Sequence, residues 1–373
     1  VADGNAKATG LGSGFFKALG QSACRAAKHF YRQSRVSSLL QDDQGRVVGV
    51  EIQQLRGWTP SGLLHRIANK LANTLHMASP KLSAKCRLWI ARFERRAVTR
   101  YIKASTGVIL SSGGFIFNRD MVREHLPTFM PARMLGQAGD NGAGIALGVS
   151  AGGMIKEMHS ASAWRFINPP KTWPRGMVVN LSGHRYCDEA SYGAVIGTRM
   201  YRDNLAQGML IIDSDLYDNS TEFLSRDARS LISMVVQQQL KTAYRADSIQ
   251  QLAEITGIHS ETLLTTLEQY NACARGEQLD PFEKSASDMS VIVKPPFYAI
   301  DLAAGGSPAL SLGGLVVDEL TGQVKSSAGK GIAGLYAAGR TAVGVASNNY
   351  VSGLSIADGV FSGRRAGASA SKP

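Results

Sequence analysis

The stretch from residue 333 to residue 367 constrains the fold of this chain most strongly. Residues 334–339 read as a short buried strand that runs into a glycine turn. After the polar residues 347–350, residues 352–355 open a helix with an apolar side. The unpaired N–H groups and the positive dipole end of a helix N-terminus attract electron-rich ligands. This order of strand, glycine turn and helix predicts an α/β fold with a ligand site where the helix begins.

Two further glycine turns fit the same interpretation. Residues 107–110 read as a buried strand that leads into Ser111, Gly113 and Gly114, and the loop 139–144 precedes another helix. An extended dinucleotide needs several such turns, because its pyrophosphate and adenosine lie against the backbone. A single strand followed by a glycine turn is also typical of an ordinary protein core. Only the presence of all three turns in one chain favours a nucleotide cofactor.

Two parts of the C-terminal stretch, Gly339-Arg340-Thr341 and residues 347–355, resemble a known family. They resemble the flavin-binding signature of the FAD-dependent fumarate reductase/3-ketosteroid dehydrogenase superfamily, and most of all its 3-ketosteroid Δ4-(5α)-dehydrogenase subgroup. Superfamily members more often carry Gly-Glu where this chain has Gly339-Arg340. The Δ1-dehydrogenases more often carry Tyr-Pro-Gly at residues 350–352. The resemblance covers residues 9 to 369 and is weak between residues 55 and 100.

The resemblance implies FAD as the cofactor. Four cysteines without a C-x-x-C spacing argue against a metal site. The residues that the resemblance or the helix start places beside FAD are Val36, Ser111, Gly113, Gly114, Gly339, Arg340, Ser352, Gly353, Leu354 and Ser355.

The resemblance also implies the catalytic residues. Residues 179–189 are similar to the family pattern V-N-x-x-G-x-R-F-x-[DN]-E, and Tyr192 falls where the steroid enzymes place a catalytic tyrosine. Tyr350, helped by a backbone amide near Gly353, is expected to polarise the C3 carbonyl of the substrate. Ser352 with Tyr192, or either residue alone, is expected to remove the C4 proton, and the C5 hydride passes to flavin N5. Which hydroxyl is the base stays open.

The predicted architecture is α/β: a discontinuous, Rossmann-like FAD-binding domain with an inserted α+β cap. The FAD-binding domain takes residues 1–158 and 296–373, and the cap takes residues 159–295, where the helices become more polar. A strand followed by G-x-G-x-x-G normally starts such a domain. Residues 10–14 are glycine-rich at the wrong spacing. We therefore expect the first βαβ unit to be missing from the chain.

The net charge of +12 comes almost entirely from one segment. Between Arg56 and Lys103 lie eleven basic residues and one acidic residue, a local charge of +10, and this segment reads as an insertion. Such a local charge argues against general nucleic-acid binding. A solvated helical pair is one interpretation, and peripheral contact of residues 58–98 with an anionic membrane is another. Binding of this segment to nucleic acid or to a protein partner is the remaining alternative. The widely spaced cysteines favour a cytoplasmic protein, with or without peripheral membrane association.

We therefore expect an FAD-dependent oxidoreductase of steroid metabolism and lipid degradation. It would dehydrogenate a CH–CH bond of a 3-ketosteroid, a small-molecule substrate, and pass the electrons to an external acceptor. One alternative is a fumarate-reductase-like enzyme that reduces an activated C=C bond in an acid substrate. Another is an inactive or binding-only fragment. The Δ4 or Δ1 regiochemistry, the steroid and the acceptor stay open.

Overall fold

The computed structural model describes residues 13–75, 79–168, 170–226, 231–347 and 350–372. The chain divides into two compact units of mixed helices and strands: residues 1–40 with 48–105, and residues 41–47 with 106–373. The predicted glycine residues 10 and 12, and Asn348 with Asn349, lie outside the described residues. Within the described ranges, no helix is both long and apolar enough to cross a membrane.

The first unit contains a three-stranded sheet and a helical pair. Its elements are α1 Ser13–Ala26, β1 Ser34–Gln41, β2 Val47–Gln54, α2 Pro60–Leu75, α3 Pro80–Glu94 and β3 Val98–Lys103. The sheet order is β1-β2-β3, and β2 and β3 are antiparallel. Pro80 stands at the start of α3, where a helix tolerates proline because the first N–H needs no partner.

The described residues of the second unit form four small sheets. Its strands are β4 Val108–Leu110, β5 Arg133–Met134, β6 Ile155–Lys156, β7 Ala161–Ala163, β8 Met177–Val179, β9 Met209–Ile212, β10 Tyr244–Ala246, β11 Phe297–Asp301, β12 Pro308–Ser311, β13 Gly314–Leu315, β14 Gln323–Lys325 and β15 Gly331–Ala337. Its helices are α4 Arg119–His125, α5 Ala143–Ser150, α6 Gly193–Asp203, α7 Ser214–Arg226, α8 Leu231–Lys241, α9 Ile249–Thr256, α10 Ser260–Ala274 and α11 Leu354–Ala370.

The sheet β14-β15-β4 positions the glycine turns. Strand β15 pairs parallel with β4, with Ala337 opposite Leu110. The carboxyl ends of parallel strands lie at the same edge of a sheet. The turn at residues 111–114 and the turn at Gly339 therefore leave the sheet side by side.

The antiparallel sheet β10-β11-β9-β8 carries the core of the predicted cap. Its strand β11 begins at Phe297, beyond the predicted cap residues 159–295, so the chain returns to this sheet before it reaches β12. The predicted domain boundaries stay predictions. Helices α9 and α10 are separate, because Gly257 adopts a φ of 75° and ends α9.

A buried ion-pair network holds the segment that leads to α6. The Glu189 side chain is 0% exposed and accepts hydrogen bonds from Lys284 Nζ at 2.8 Å and from Arg185 at 2.9 Å. Arg185 also pairs with Asp280. Burial by itself lowers the pKa of Arg185, but its hydrogen bonds and charge attraction to the two carboxylates outweigh burial and raise that pKa. Each of these desolvated charges therefore depends on the others.

Replacing Glu189 with glutamine should destabilise the second unit strongly. Lys284 would keep a buried charge without its carboxylate, and breaking a buried pair in this way costs about 3–5 kcal/mol. Chemical denaturation measures the loss. The matched control is Glu277→Gln, because the Glu277–Arg275 pair lies on the surface, and exposed pairs contribute little. Equal stability of the two variants would contradict the importance of the network.

Candidate active site

The structure joins two predicted catalytic residues that lie far apart in the sequence. The Tyr192 hydroxyl and Ser352 Oγ form a hydrogen bond, and the Ser352 backbone N–H donates to the Tyr192 hydroxyl oxygen at 3.1 Å. Tyr192 immediately precedes α6, and Ser352 lies two residues before α11. A serine and a tyrosine hydroxyl in contact can pass a proton between them.

Tyr350 lies in the same region and is buried, with 6% of its surface exposed. Its ring stacks on Trp164 with the centroids 5.6 Å apart. Tyr350 precedes Ser352 by two residues, and Ser352 lies in the turn before α11. Tyr350 also packs in an apolar cluster with Leu310 and Leu312, which fixes the position of its ring.

Trp164 and Phe166 connect Tyr350 to Tyr192. The rings of Trp164 and Phe166 meet edge to face at 6.3 Å, and those of Phe166 and Tyr192 at 5.6 Å. Neither residue is predicted from the sequence. Their local pattern, Trp-x-Phe directly after the short strand β7, does not by itself indicate a site. Four rings thus form a continuous aromatic wall, with two hydroxyls at one end.

The aromatic wall offers both apolar area and unused polar groups. Phe166 is 51% exposed, so the wall reaches the surface of the protein. Trp164 Nε1 is buried and has no hydrogen-bond partner among the described residues. A buried indole N–H usually finds a partner. The arrangement suits a flat, largely apolar ligand that carries an oxygen atom.

The turn at residues 113–114 is tied to two other parts of the second unit. Asp140 accepts hydrogen bonds from the Gly114 backbone N–H at 3.1 Å and from the Arg340 side chain at 2.8 Å. Thr341 Oγ1 accepts from the Gly113 N–H at 3.0 Å. The loop 139–144, the turn after β4 and the turn after β15 therefore meet around one carboxylate. In this structure Asp140 shapes these turns.

Two of the four predicted cofactor glycines, Gly339 and Gly353, leave room beside their Cα atoms. Gly339 has a φ of 58° and Gly353 a φ of 91°, and a Cβ on either would meet no atom within 4 Å. These backbone angles favour glycine. Gly353 directly precedes the 17-residue helix α11, whose N-terminus favours negative charge. The backbone at Gly339 and Gly353 is thus open to a closely approaching ligand.

Two buried polar atoms near these glycines also lack partners within the described part of the chain. They are Ser355 Oγ and one guanidinium nitrogen of Arg340. Since buried polar groups are nearly always satisfied, these atoms fit an oxygen-rich group such as a nucleotide. The residues present therefore fit FAD.

For the remaining predicted cofactor residues, the structure gives positions in the fold but no comparable evidence for a ligand. Ser111 is exposed at the end of β4, and Leu354 begins α11. Val36 lies in β1 of the first unit, and its contact with adenine stays a prediction. Among the described residues, no group of three or more His, Cys, Asp or Glu side chains is arranged to hold a metal ion.

Comparison with known proteins finds relatives that span most of this chain. A 3-oxo-5-alpha-steroid 4-dehydrogenase from Comamonas testosteroni is 33% identical over 88% of this chain and 63% of its own length. An NADH:acrylate oxidoreductase from Vibrio harveyi is 30% identical over 71% of this chain and 27% of its own length. A fumarate reductase (cytochrome) from Shewanella frigidimarina is 26% identical over 73% of this chain and 46% of its own length. The chain thus spans less than two thirds of each relative.

A solved structure and a family model agree with these relatives. The crystal structure of 3-ketosteroid-delta4-(5alpha)-dehydrogenase from Rhodococcus jostii RHA1, in complex with 4-androstene-3,17-dione, superposes with a TM-score of 0.72. It is 25% identical, and the match covers 95% of this chain and 62% of that one. The model of the FAD binding domain matches residues 1–356. The chain therefore belongs to the family of flavoproteins that carry this FAD binding domain, as the resemblance indicated, and FAD is its cofactor.

Proposed function

We propose that this chain forms the substrate and flavin site of an FAD-dependent 3-ketosteroid Δ4-(5α)-dehydrogenase. The observation that carries the proposal is the contact of the Tyr192 and Ser352 hydroxyls at one end of the aromatic wall, beside the start of α11. The relatives from Comamonas testosteroni and Rhodococcus jostii support the substrate class.

In the proposed reaction, Tyr350 donates a hydrogen bond to the C3 carbonyl oxygen of the steroid. Polarising that carbonyl acidifies the hydrogens on C4, and an unactivated C–H bond would be far too weak an acid for a hydroxyl base. The Tyr192–Ser352 pair removes one C4 proton as the C4=C5 double bond forms. FAD, when bound, supplies the acceptor for the C5 hydride at its N5 atom and passes both electrons to an external acceptor.

The residues of this chain also orient the substrate and the proposed base. Trp164 and Phe166 present ring faces and edges on which a flat steroid can pack. The Ser352 N–H holds the Tyr192 oxygen at 3.1 Å and so directs this hydroxyl. At the start of α11, the helix dipole favours the negative charge that a reduced flavin carries.

A second candidate is reduction of an activated C=C bond in an acid substrate. The relatives from Shewanella frigidimarina and Vibrio harveyi favour it. A dicarboxylate is best held by arginine or histidine cations. The contacts described for Tyr192, Ser352 and Trp164 are instead with aromatic rings and hydroxyls, which favours the steroid. Anaerobic turnover of fumarate or acrylate by the reduced protein, without any steroid product, would support this second candidate.

Tyr350→Phe should lower the rate of steroid dehydrogenation on the order of 10²–10³-fold. The change removes one donor to the developing negative charge on the carbonyl oxygen and keeps the ring stacked on Trp164. The measurement is the steady-state rate with a 5α-3-ketosteroid, FAD and an artificial electron acceptor. Tyr244→Phe, in strand β10, is the matched control and should react normally. A normal rate for Tyr350→Phe would remove this hydroxyl from the mechanism.

Gly353→Ala should weaken FAD binding by roughly tenfold or more. Alanine is strained at a φ of 91°, a cost of order 1–3 kcal/mol, and its methyl group would occupy the space beside the helix start. Titration followed by flavin fluorescence measures the affinity. The control is Gly359→Ala inside α11, where a Cβ meets no atom within 4 Å and the backbone is helical. Equal affinities would show that the backbone at Gly353 does not approach the cofactor.

A further inference from the structure

The first unit carries a surface that the proposed chemistry does not use. This surface, the basic hairpin, is formed by α2 and α3. The two helices pack together, since Ser83 Oγ in α3 is buried and donates to the Ala72 carbonyl oxygen in α2 at 2.8 Å. In α2 the buried residues are Gly62, His65 and Ala72. These residues define the inner side of the helix.

The opposite side of α2 is apolar and exposed. Leu63, Leu64, Ile67 and Leu71 follow the spacing i, i+1, i+4, i+8, which places them on one face of a helix. Each is between 46% and 55% exposed. Such an apolar face is normally buried against the rest of its unit. Because this face is exposed instead, it indicates a binding partner.

Helix α3 adds further exposed apolar residues. Leu82 and Trp89 are seven residues apart and so share a face, and they are 46% and 65% exposed. Leu88 is 73% exposed, and Trp58, just before α2, is 83% exposed. An exposed tryptophan among leucines is typical of a segment that inserts into the boundary between water and lipid.

Cations flank the apolar side chains on both helices. Arg66 and Lys70 lie beside the stripe of α2, and the exposed cations of α3 include Lys81, Lys85 and Arg92. The single acidic residue of the hairpin, Glu94, is engaged by Arg35 and His65, each at 3.5 Å. The surface therefore combines a large positive charge with exposed apolar area.

We propose that the basic hairpin docks on the surface of an anionic lipid bilayer. The leucines, Ile67 and the tryptophans enter the boundary between headgroups and acyl chains, while lysines and arginines stay at the lipid phosphates. A nucleic-acid surface needs cations but no row of exposed leucines. A second copy of the hairpin would carry the same positive charge and be repelled. Docking does not depend on the proposed steroid chemistry.

Vesicle flotation with the full chain tests the proposal. The chain should float with vesicles of phosphatidylcholine and phosphatidylglycerol, and binding should fall as salt screens the charges. The variant Lys81→Gln/Lys85→Gln/Arg92→Gln should partition on the order of 100-fold more weakly, since each cation near the surface contributes severalfold. The variant Leu64→Gln/Ile67→Gln/Leu71→Gln should lose at least roughly tenfold.

The matched control is Leu279→Gln/Leu320→Gln, which replaces two leucines of the second unit that are 97% and 87% exposed. It should float like the unchanged chain, and circular dichroism confirms that each variant is folded. Equal flotation of all four proteins, or no flotation on anionic vesicles at low salt, overturns the proposal. Binding to duplex DNA that survives the apolar substitutions, without vesicle binding, assigns the hairpin to nucleic acid instead.

Discussion

The parallel pairing of β4 with β15 brings two glycine turns to one edge of one sheet. Asp140 and Arg340 then lock these turns together, and the turn after β4 leaves no space for side chains at its two glycines. A Cβ at Gly113 would overlap the Asp140 carboxylate, and a Cβ at Gly114 would overlap Ser311 Oγ. At Gly339 and Gly353, in contrast, an added Cβ would meet no atom within 4 Å. The same sheet edge thus contains a closely packed part and an accessible part, as a backbone-bound dinucleotide requires.

The candidate active site depends on a second long-range contact. The hydrogen bond between Tyr192 and Ser352 links the loop before α6 to the start of α11. On one side, the buried pair of Glu189 with Lys284 stabilises the segment that carries Tyr192. On the other, Tyr350 is fixed by its stacking on Trp164. A pair of hydroxyls is thereby held next to aromatic rings and a helix N-terminus, a combination that suits proton removal from an apolar ketone.

The sequence predicts the glycine turns after apolar strands and the alternation of Tyr350 and Ser352, because both are local signals. Trp164 and Phe166 could not be predicted, since their importance arises only when β7 lies beside the loop at Tyr350. The end of α9 depends on the backbone of Gly257, whose φ of 75° stops the helix. The whole ion-pair network could not be predicted from the sequence, because Asp280 and Lys284 lie far along the chain from Arg185 and meet it only in the folded protein.

The most direct measurement follows the hydrogens of the substrate. The full chain, supplied with FAD and an artificial acceptor, is given a 5α-3-ketosteroid deuterated at C4, and the product is analysed by mass spectrometry and NMR. We expect a C4=C5 double bond, loss of one C4 deuteron to water, and a large decrease in rate for Tyr192→Phe. A double bond at another position, retention of the full label, or an unchanged rate for Tyr192→Phe would contradict the proposed reaction.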